Sequence, residues 1–153
     1  MERYGSGTHI ILIEGDQYHS TENKMKMASG IALNDLDRQG WLETLKDICL
    51  RHLETDINAV IVLACSALKK SYRDVFRLKI AQKTQFILLT GSKECLAARI
   101  QGRSDHFFPP SLLDSQLNTL ELPDPQTEPD VTLISTEESV EQTVERIISL
   151  IKI

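Results

Sequence analysis

Cysteine is scarce in this chain of 153 residues: Cys49, Cys65 and Cys95 are all there is, and no two stand in a C-x-x-C spacing. An odd, scattered set supplies neither a disulfide framework nor a zinc cage. Long hydrophobic runs are also missing. Stretches such as 60–65 fall far short of the ~20 apolar residues that span a bilayer, so no membrane segment is expected. The first residues, Met1-Glu2-Arg3-Tyr4-Gly5, show neither the apolar core of a secretory signal nor the Arg-rich pattern of a transit peptide. A reducing cytoplasm is the expected location. Positive charge is in deficit as well, with a net charge of −5. Non-specific nucleic-acid binding is therefore not expected, and an anionic ligand has to be met by local clusters of Lys and Arg.

What is present is ordinary for a soluble domain: 41% hydrophobic and 25% charged residues, in a length that fits one compact unit over 1–153. Four β-branched or aromatic runs, 9–13, 59–64, 85–90 and 131–134, alternate with stretches of helical spacing. That alternation predicts βαβ units and a mostly parallel sheet. Trp41, Leu42, Leu45, Ile48, Cys49 and Leu53 share one helical face, with Asn34 or Asp35 as N-cap. Leu68, Tyr72, Val75 and Phe76 mark a helix over about 69–78, and Ser92 caps another running to about 100. The last helix carries Val140, Val144, Ile147, Ile148 and Ile151 in register behind a capping box at Ser135 and Glu138. Two irregular stretches remain. Residues 102–110 have the character of a lid joint, and 122–129, with three prolines, that of a surface connection.

Glu14-Gly15-Asp16-Gln17-Tyr18-His19 follows directly on the first long strand, so its side chains emerge at the carboxyl edge of the sheet, where open α/β sheets bind ligands. Asp16 there can orient or deprotonate a substrate hydroxyl; it reads equally as a turn residue capping the next helix. Arg38 reads by itself as a helix-surface arginine paired with Asp35 or Asp37. Lys69, Lys70 and Arg73 read as a solvated basic face, and Arg99 and Arg103, at i and i+4, as surface charges. Cys65 and Cys95 read as small core residues.

Taken in order, Asp16, the segment Lys26-Met27-Ala28-Ser29-Gly30, Leu33-Asn34-Asp35-Leu36-Asp37-Arg38, Trp41-Leu42, Cys65-Ser66-Ala67-Leu68-Lys69-Lys70, Tyr72-Arg73-Asp74, His106-Phe107-Phe108, and Gln116 with Thr119-Leu120-Glu121 and Pro123 resemble the gluconokinases. These are ATP-dependent kinases of the P-loop nucleoside-monophosphate-kinase-like group, acting on the 6-hydroxyl of D-gluconate. The resemblance covers about 13–123 closely. It implies a three-layer α/β/α fold with a mostly parallel sheet, a lid at about 99–120, D-gluconate and ATP as substrates, Mg²⁺ as cofactor, and room for a homodimer. It implies Asp16 as base or orienter of the acceptor hydroxyl, Arg38 as clamp of the sugar-acid carboxylate, and His19, Ser66 and Lys69 as further substrate contacts. Arg99 and Arg103 are implied as catalytic, nucleotide-facing lid residues, and Glu14 as a contact to the Mg²⁺ hydration shell, although the group usually shows D-x-D where this chain has Glu-Gly-Asp.

One departure is large. The group carries a strand, a glycine loop ending in Gly-Lys-Ser/Thr and a helix ahead of the strand that leads to Asp16. Here only Gly5-Ser6-Gly7-Thr8 precedes that strand, and no lysine occurs in the first 23 residues. Those four residues are the expected remnant of the phosphate loop, and the sheet is expected to be incomplete on that account. An impaired, non-catalytic binding or regulatory isoform is the alternative to an active kinase.

Overall fold

The computed structural model describes residues 3–4, 8–77, 84–102 and 112–150. In chain order they form β1 (Arg3–Tyr4), β2 (Thr8–Glu14), a 3-10 turn (Gly15–Tyr18), α1 (Thr21–Ala28), α2 (Asp35–Thr55), β3 (Ala59–Ala64), α3 (Lys70–Arg77), β4 (Phe86–Thr90), α4 (Lys93–Gln101), α5 (Leu113–Thr119), β5 (Val131–Ser135) and α6 (Val140–Leu150). Among the described residues no helix is long and apolar enough to cross a membrane.

β2 and β3 pair in parallel, with Ile11 opposite Ile61 and Ile13 opposite Leu63. The two-residue period of a strand puts these four side chains on one face. α2 lays Trp41, Leu42, Leu45, Ile48 and Cys49 across that face, and α3 adds Tyr72 and Phe76. Leu45 is fully enclosed there, a burial that contributes about 1.5–3 kcal/mol. α2 starts where expected. The Asn34 side chain accepts from the Asp37 N–H while the Asp37 carboxylate accepts from the Asn34 N–H, a reciprocal capping box. Ser92 caps α4 in the same sense.

The α/β pattern with parallel pairing is the one expected, and the sheet, expected to be incomplete, stands in two pieces. β1, β2 and β3 form one, with β1 antiparallel to β2; β4 and β5 form the other, in parallel. No ladder joins β3 to β4, and no described strand stands between them. The pieces meet through Phe86 at the start of β4, which packs on the α2 core. On the sheet face away from α2, Leu12 is 71% exposed and its cross-strand partner Val62 is also exposed. The apolar stripe of α6 behaves likewise: Val140, Val144 and Ile148 face solvent, and Thr143 is the buried residue of that helix. The capping box of α6 is also displaced from its expected place, because Ser139 and Gln142, not Ser135 and Glu138, exchange the reciprocal bonds.

Ion pairing joins the two pieces. Arg73 of α3, 2% exposed, donates through Nε and Nη2 to Glu128, which is equally buried. Its Nη1 also donates to the carbonyls of Ala67 and Leu68, and Nη2 to that of Glu121. Arg77 adds bonds to Glu128 and to both oxygens of Asp130. α3 is thereby fastened to the segment that leads into β5.

Candidate functional site

The carboxyl ends of β2 and β3 meet at Gly15, which is buried. A Cβ at this position would lie 2.6 Å from the Ala64 carbonyl oxygen, so only glycine lets the two chain ends approach this closely. The Gly15 carbonyl accepts the Trp41 indole N–H at 2.8 Å, and that bond sets the start of the turn that presents Asp16. His19 closes the same turn. Its ring stacks on Trp41 with centroids 4.1 Å apart, and its Nε2 lies 3.8 Å from an Asp16 oxygen. Burial lowers the His19 pKa to about 4; the Asp16 charge opposes this, and the Arg38 and Lys24 charges add to it. The imidazole is therefore neutral at pH 7, and its buried Nδ1 has no hydrogen-bond partner among the described residues.

Arg38 departs from the surface reading of the sequence. It is 5% exposed, and its buried Nε has no partner among the described residues. Neither nearby aspartate pairs with it: Asp35 receives Lys69 and the Tyr72 hydroxyl, and Asp37 receives Lys26. These bonds hold both carboxyls below their ordinary values, the lysine contribution being the larger in each case. The Arg38 guanidinium instead sits 5.9 Å from the centre of the Tyr72 ring. It borders a pocket with Met27, Leu33 and Leu112 on the apolar side and Ser115 and Gln116 on the polar side. The charges of Asp16 and Arg38 both act on His19 and on Cys65, so the two groups lie near the same end of the strands, while Arg38 and not Asp16 lines the pocket. Cys65 is no nucleophile: burial pushes its thiol up to about 12.

The structure brings Asp16, His19 and Arg38 together. Ser66 is half-buried in the turn after β3, and Glu14 is exposed at the last position of β2. Lys69 does not reach into the cleft as a free cation, because both oxygens of Asp35 hold its ammonium. Lys70 pairs with Asp74, and Arg73, read from sequence as part of a solvated face, is the most buried of the basic residues named. Arg99 spends its Nη2 on the carbonyls of Thr136 and Glu138, at 2.6 and 2.9 Å, fastening α4 to the turn after β5. Gly5, Ser6, Gly7, Arg103 and the His106-Phe107-Phe108 run lie outside the described residues; of Thr8, only its main-chain place at the start of β2 is described. Trp41 was visible from sequence as a core residue and part of a motif, but its helical position gave no hint that it holds Gly15 and His19. Sequence reasoning missed Ser115, which carried no signal, while Gln116 was visible only as part of a motif.

The described residues offer a carboxylate beside a neutral imidazole at one strand end and a buried guanidinium across the cleft. That suits an anionic molecule bearing a hydroxyl. No family model matches the chain. A probable gluconokinase of Dictyostelium discoideum is 42% identical over 147 residues, covering 91% of this chain and 72% of the relative. The thermoresistant gluconokinase of Escherichia coli K12 is 38% identical over 144 residues, covering 94% and 80%. The crystal structure of a gluconokinase from Sinorhizobium meliloti 1021 superposes with a TM-score of 0.75 at 37% identity, over 90% of this chain and 74% of that one. Identity at this level over nine-tenths of the chain, together with a matching backbone in a solved relative, means that this chain belongs to the gluconokinase family.

Proposed function

We propose that the chain serves gluconokinase chemistry, receiving D-gluconate so that the γ-phosphoryl of ATP is transferred to its 6-hydroxyl to give 6-phosphogluconate. The observation that supports this is Arg38, a guanidinium removed from water whose Nε has no partner among the described residues. Burying such a group costs free energy, and a ligand carboxylate offsets that cost with charge-assisted bonds. Asp16 then stands at the reacting end, where a carboxylate accepts or orients the proton of the attacking hydroxyl. His19, kept neutral by burial and stacked on Trp41, supplies a hydrogen-bonding tip without adding a second positive charge. Ser66 is the further hydroxyl at the strand ends.

The donor half is a different matter. No G-x-x-x-x-G-K-[ST] occurs in the sequence, and Arg99, the described cation named for the nucleotide, spends its Nη2 on main-chain carbonyls. Glu14, exposed at the last position of β2, would offer a single carboxylate to Mg²⁺, whose remaining ligands in such sites are phosphate oxygens and waters. The described residues supply groups for the sugar acid; Gly5, Ser6, Gly7 and Arg103, expected at the triphosphate, lie outside them, and the sequence holds no complete phosphate loop. This favours one second reading, a chain that binds gluconate without phosphorylating it.

Calorimetric titration with D-gluconate, run beside a coupled assay for 6-phosphogluconate, separates these. Gluconate binding that falls about 10–100-fold in Arg38→Ala, as loss of a charged hydrogen-bonded pair predicts, supports the site. Turnover then distinguishes kinase from binder. Absence of gluconate binding, or binding indifferent to Arg38, overturns the reading.

A further inference from the structure

The pocket that Arg38 borders holds more polar chemistry than a carboxylate clamp requires. Ser115 and Gln116 come from consecutive positions of α5, far from Arg38 in sequence, and both are half-buried beside it. The opposite wall is the buried apolar cluster of Met27, Leu33 and Leu112. Both side chains are half-buried, so water meets them in the free chain and a ligand that displaces that water has to reproduce its bonds. A carboxamide both donates and accepts, as a serine hydroxyl does, and so does the alcohol of a hydroxy acid.

The α5 segment is tied to its neighbours, more firmly at its C-terminal end. Lys93 of α4 pairs with Asp114 at 2.6 Å, just before Ser115. Beyond α5, the Glu121 N–H donates to the Leu68 carbonyl, its carboxylate accepts from the Lys70 N–H, and its carbonyl accepts from Arg73. Both ends of the α5 segment are thus tied to neighbouring elements, the arrangement expected of side chains that must hold one geometry.

We infer that Gln116, assisted by Ser115, reads the hydroxyl next to the carboxylate held by Arg38, making this pocket selective for 2-hydroxy acids. The inference rests on the assignment of Arg38 as carboxylate clamp. A ligand carboxylate on the guanidinium brings its C2 hydroxyl to the same small pocket, while the far end of the molecule extends toward Asp16. An acid lacking that hydroxyl leaves the carboxamide unanswered, and sites built to bond a hydroxyl reject such analogues.

The test is calorimetric titration of the full chain with D-gluconate and with 2-deoxy-D-gluconate, for the parent, Gln116→Leu, Ser115→Ala and Arg38→Ala. The parent should bind the 2-deoxy acid at least tenfold more weakly than gluconate. Gln116→Leu should lose about tenfold for gluconate and nothing for the 2-deoxy acid, so the discrimination collapses; Ser115→Ala should narrow it less. If Gln116→Leu does not fold, Gln116→Ala carries the same comparison. Discrimination that survives in the Gln116 variants, or a parent that does not discriminate, overturns the inference, while gluconate binding lost in Arg38→Ala leaves the clamp intact. A parent that binds neither acid overturns the clamp and this inference together.

Discussion

Replacing Arg73 with methionine is the sharpest probe of how this chain holds its two sheet pieces together. Methionine keeps much of the aliphatic stem and removes the guanidinium. Five bonds are lost: two to Glu128, at 2.8 and 2.7 Å, and one each to the carbonyls of Ala67, Leu68 and Glu121. Glu128 remains as a buried carboxylate, and breaking one side of such a pair costs about 3–5 kcal/mol. Arg77, 2.8 Å from Glu128, stays in place and keeps the loss near the lower bound, about 3 kcal/mol. For a domain of this size that corresponds to a fall in Tm of roughly 6–12 °C. The double variant Arg73→Met/Glu128→Leu removes the stranded charge and should regain at least half of the loss, because an apolar replacement of a buried pair is often near neutral. Urea unfolding followed by far-ultraviolet circular dichroism measures both. A loss below about 1 kcal/mol for the single variant, or no recovery in the double, would refute the view that Arg73 neutralises a buried acid. The pH dependence has a definite sign: Arg73, more than Arg77, holds the Glu128 carboxyl below its ordinary value. The stabilisation is complete above the unfolded value of about 4.3 and is lost as pH falls through the lower folded value.

Three further outcomes are expected. His19 is depressed to about 4, so the unfolded chain binds its proton first; stability should fall as pH drops from about 6.5 toward 4, by up to about 3 kcal/mol, and His19→Gln should flatten that slope. Gly15→Ala, whose new methyl would meet the Ala64 carbonyl at 2.6 Å, should cost about 1–3 kcal/mol and weaken gluconate binding by moving Asp16, both read by denaturation and titration of one preparation. Because no ladder joins β3 to β4, amides of β4 and β5 should exchange with solvent at a lower opening free energy than those of β2 and β3, and the chain should self-associate through its open strand edges as concentration rises. A concentration-independent monomer with uniform protection would contradict that.

The strands were legible because β-branched runs announce them; the second, 59–64, coincides with β3. The caps at Asn34 and Ser92 were legible for the same local reason, a short polar side chain just ahead of a helical pattern. What could not be read was which charges meet. Lys69 finds Asp35 across 34 residues and Arg73 finds Glu128 across 55, and nothing local marks such partners. That is why Arg73 read as solvated when it is enclosed. It is also why Arg38, with two aspartates within one helical turn, read as paired when both are taken by lysines. The α6 stripe misled in the opposite sense. Its period gave the helix correctly, but burial depends on a neighbour, and Val140, Val144 and Ile148 have none among the described residues that covers them.

Trp41 is the only tryptophan of the chain, and it lies against His19 with 16° between the ring planes. The entire indole emission of the molecule therefore originates inside the cleft. An imidazolium quenches a stacked indole far more strongly than a neutral imidazole does, so the emission carries a pH signature of its own. Quenching centred near pH 4 belongs to molecules in which His19 is sheltered, and quenching near 6.5 to molecules in which water has reached it. Because protonation of His19 and opening are linked, the midpoint moves from about 4 toward 6.5 as the open fraction rises, and a single fluorescence titration, without label or ligand, gauges how far the cleft stands open in solution.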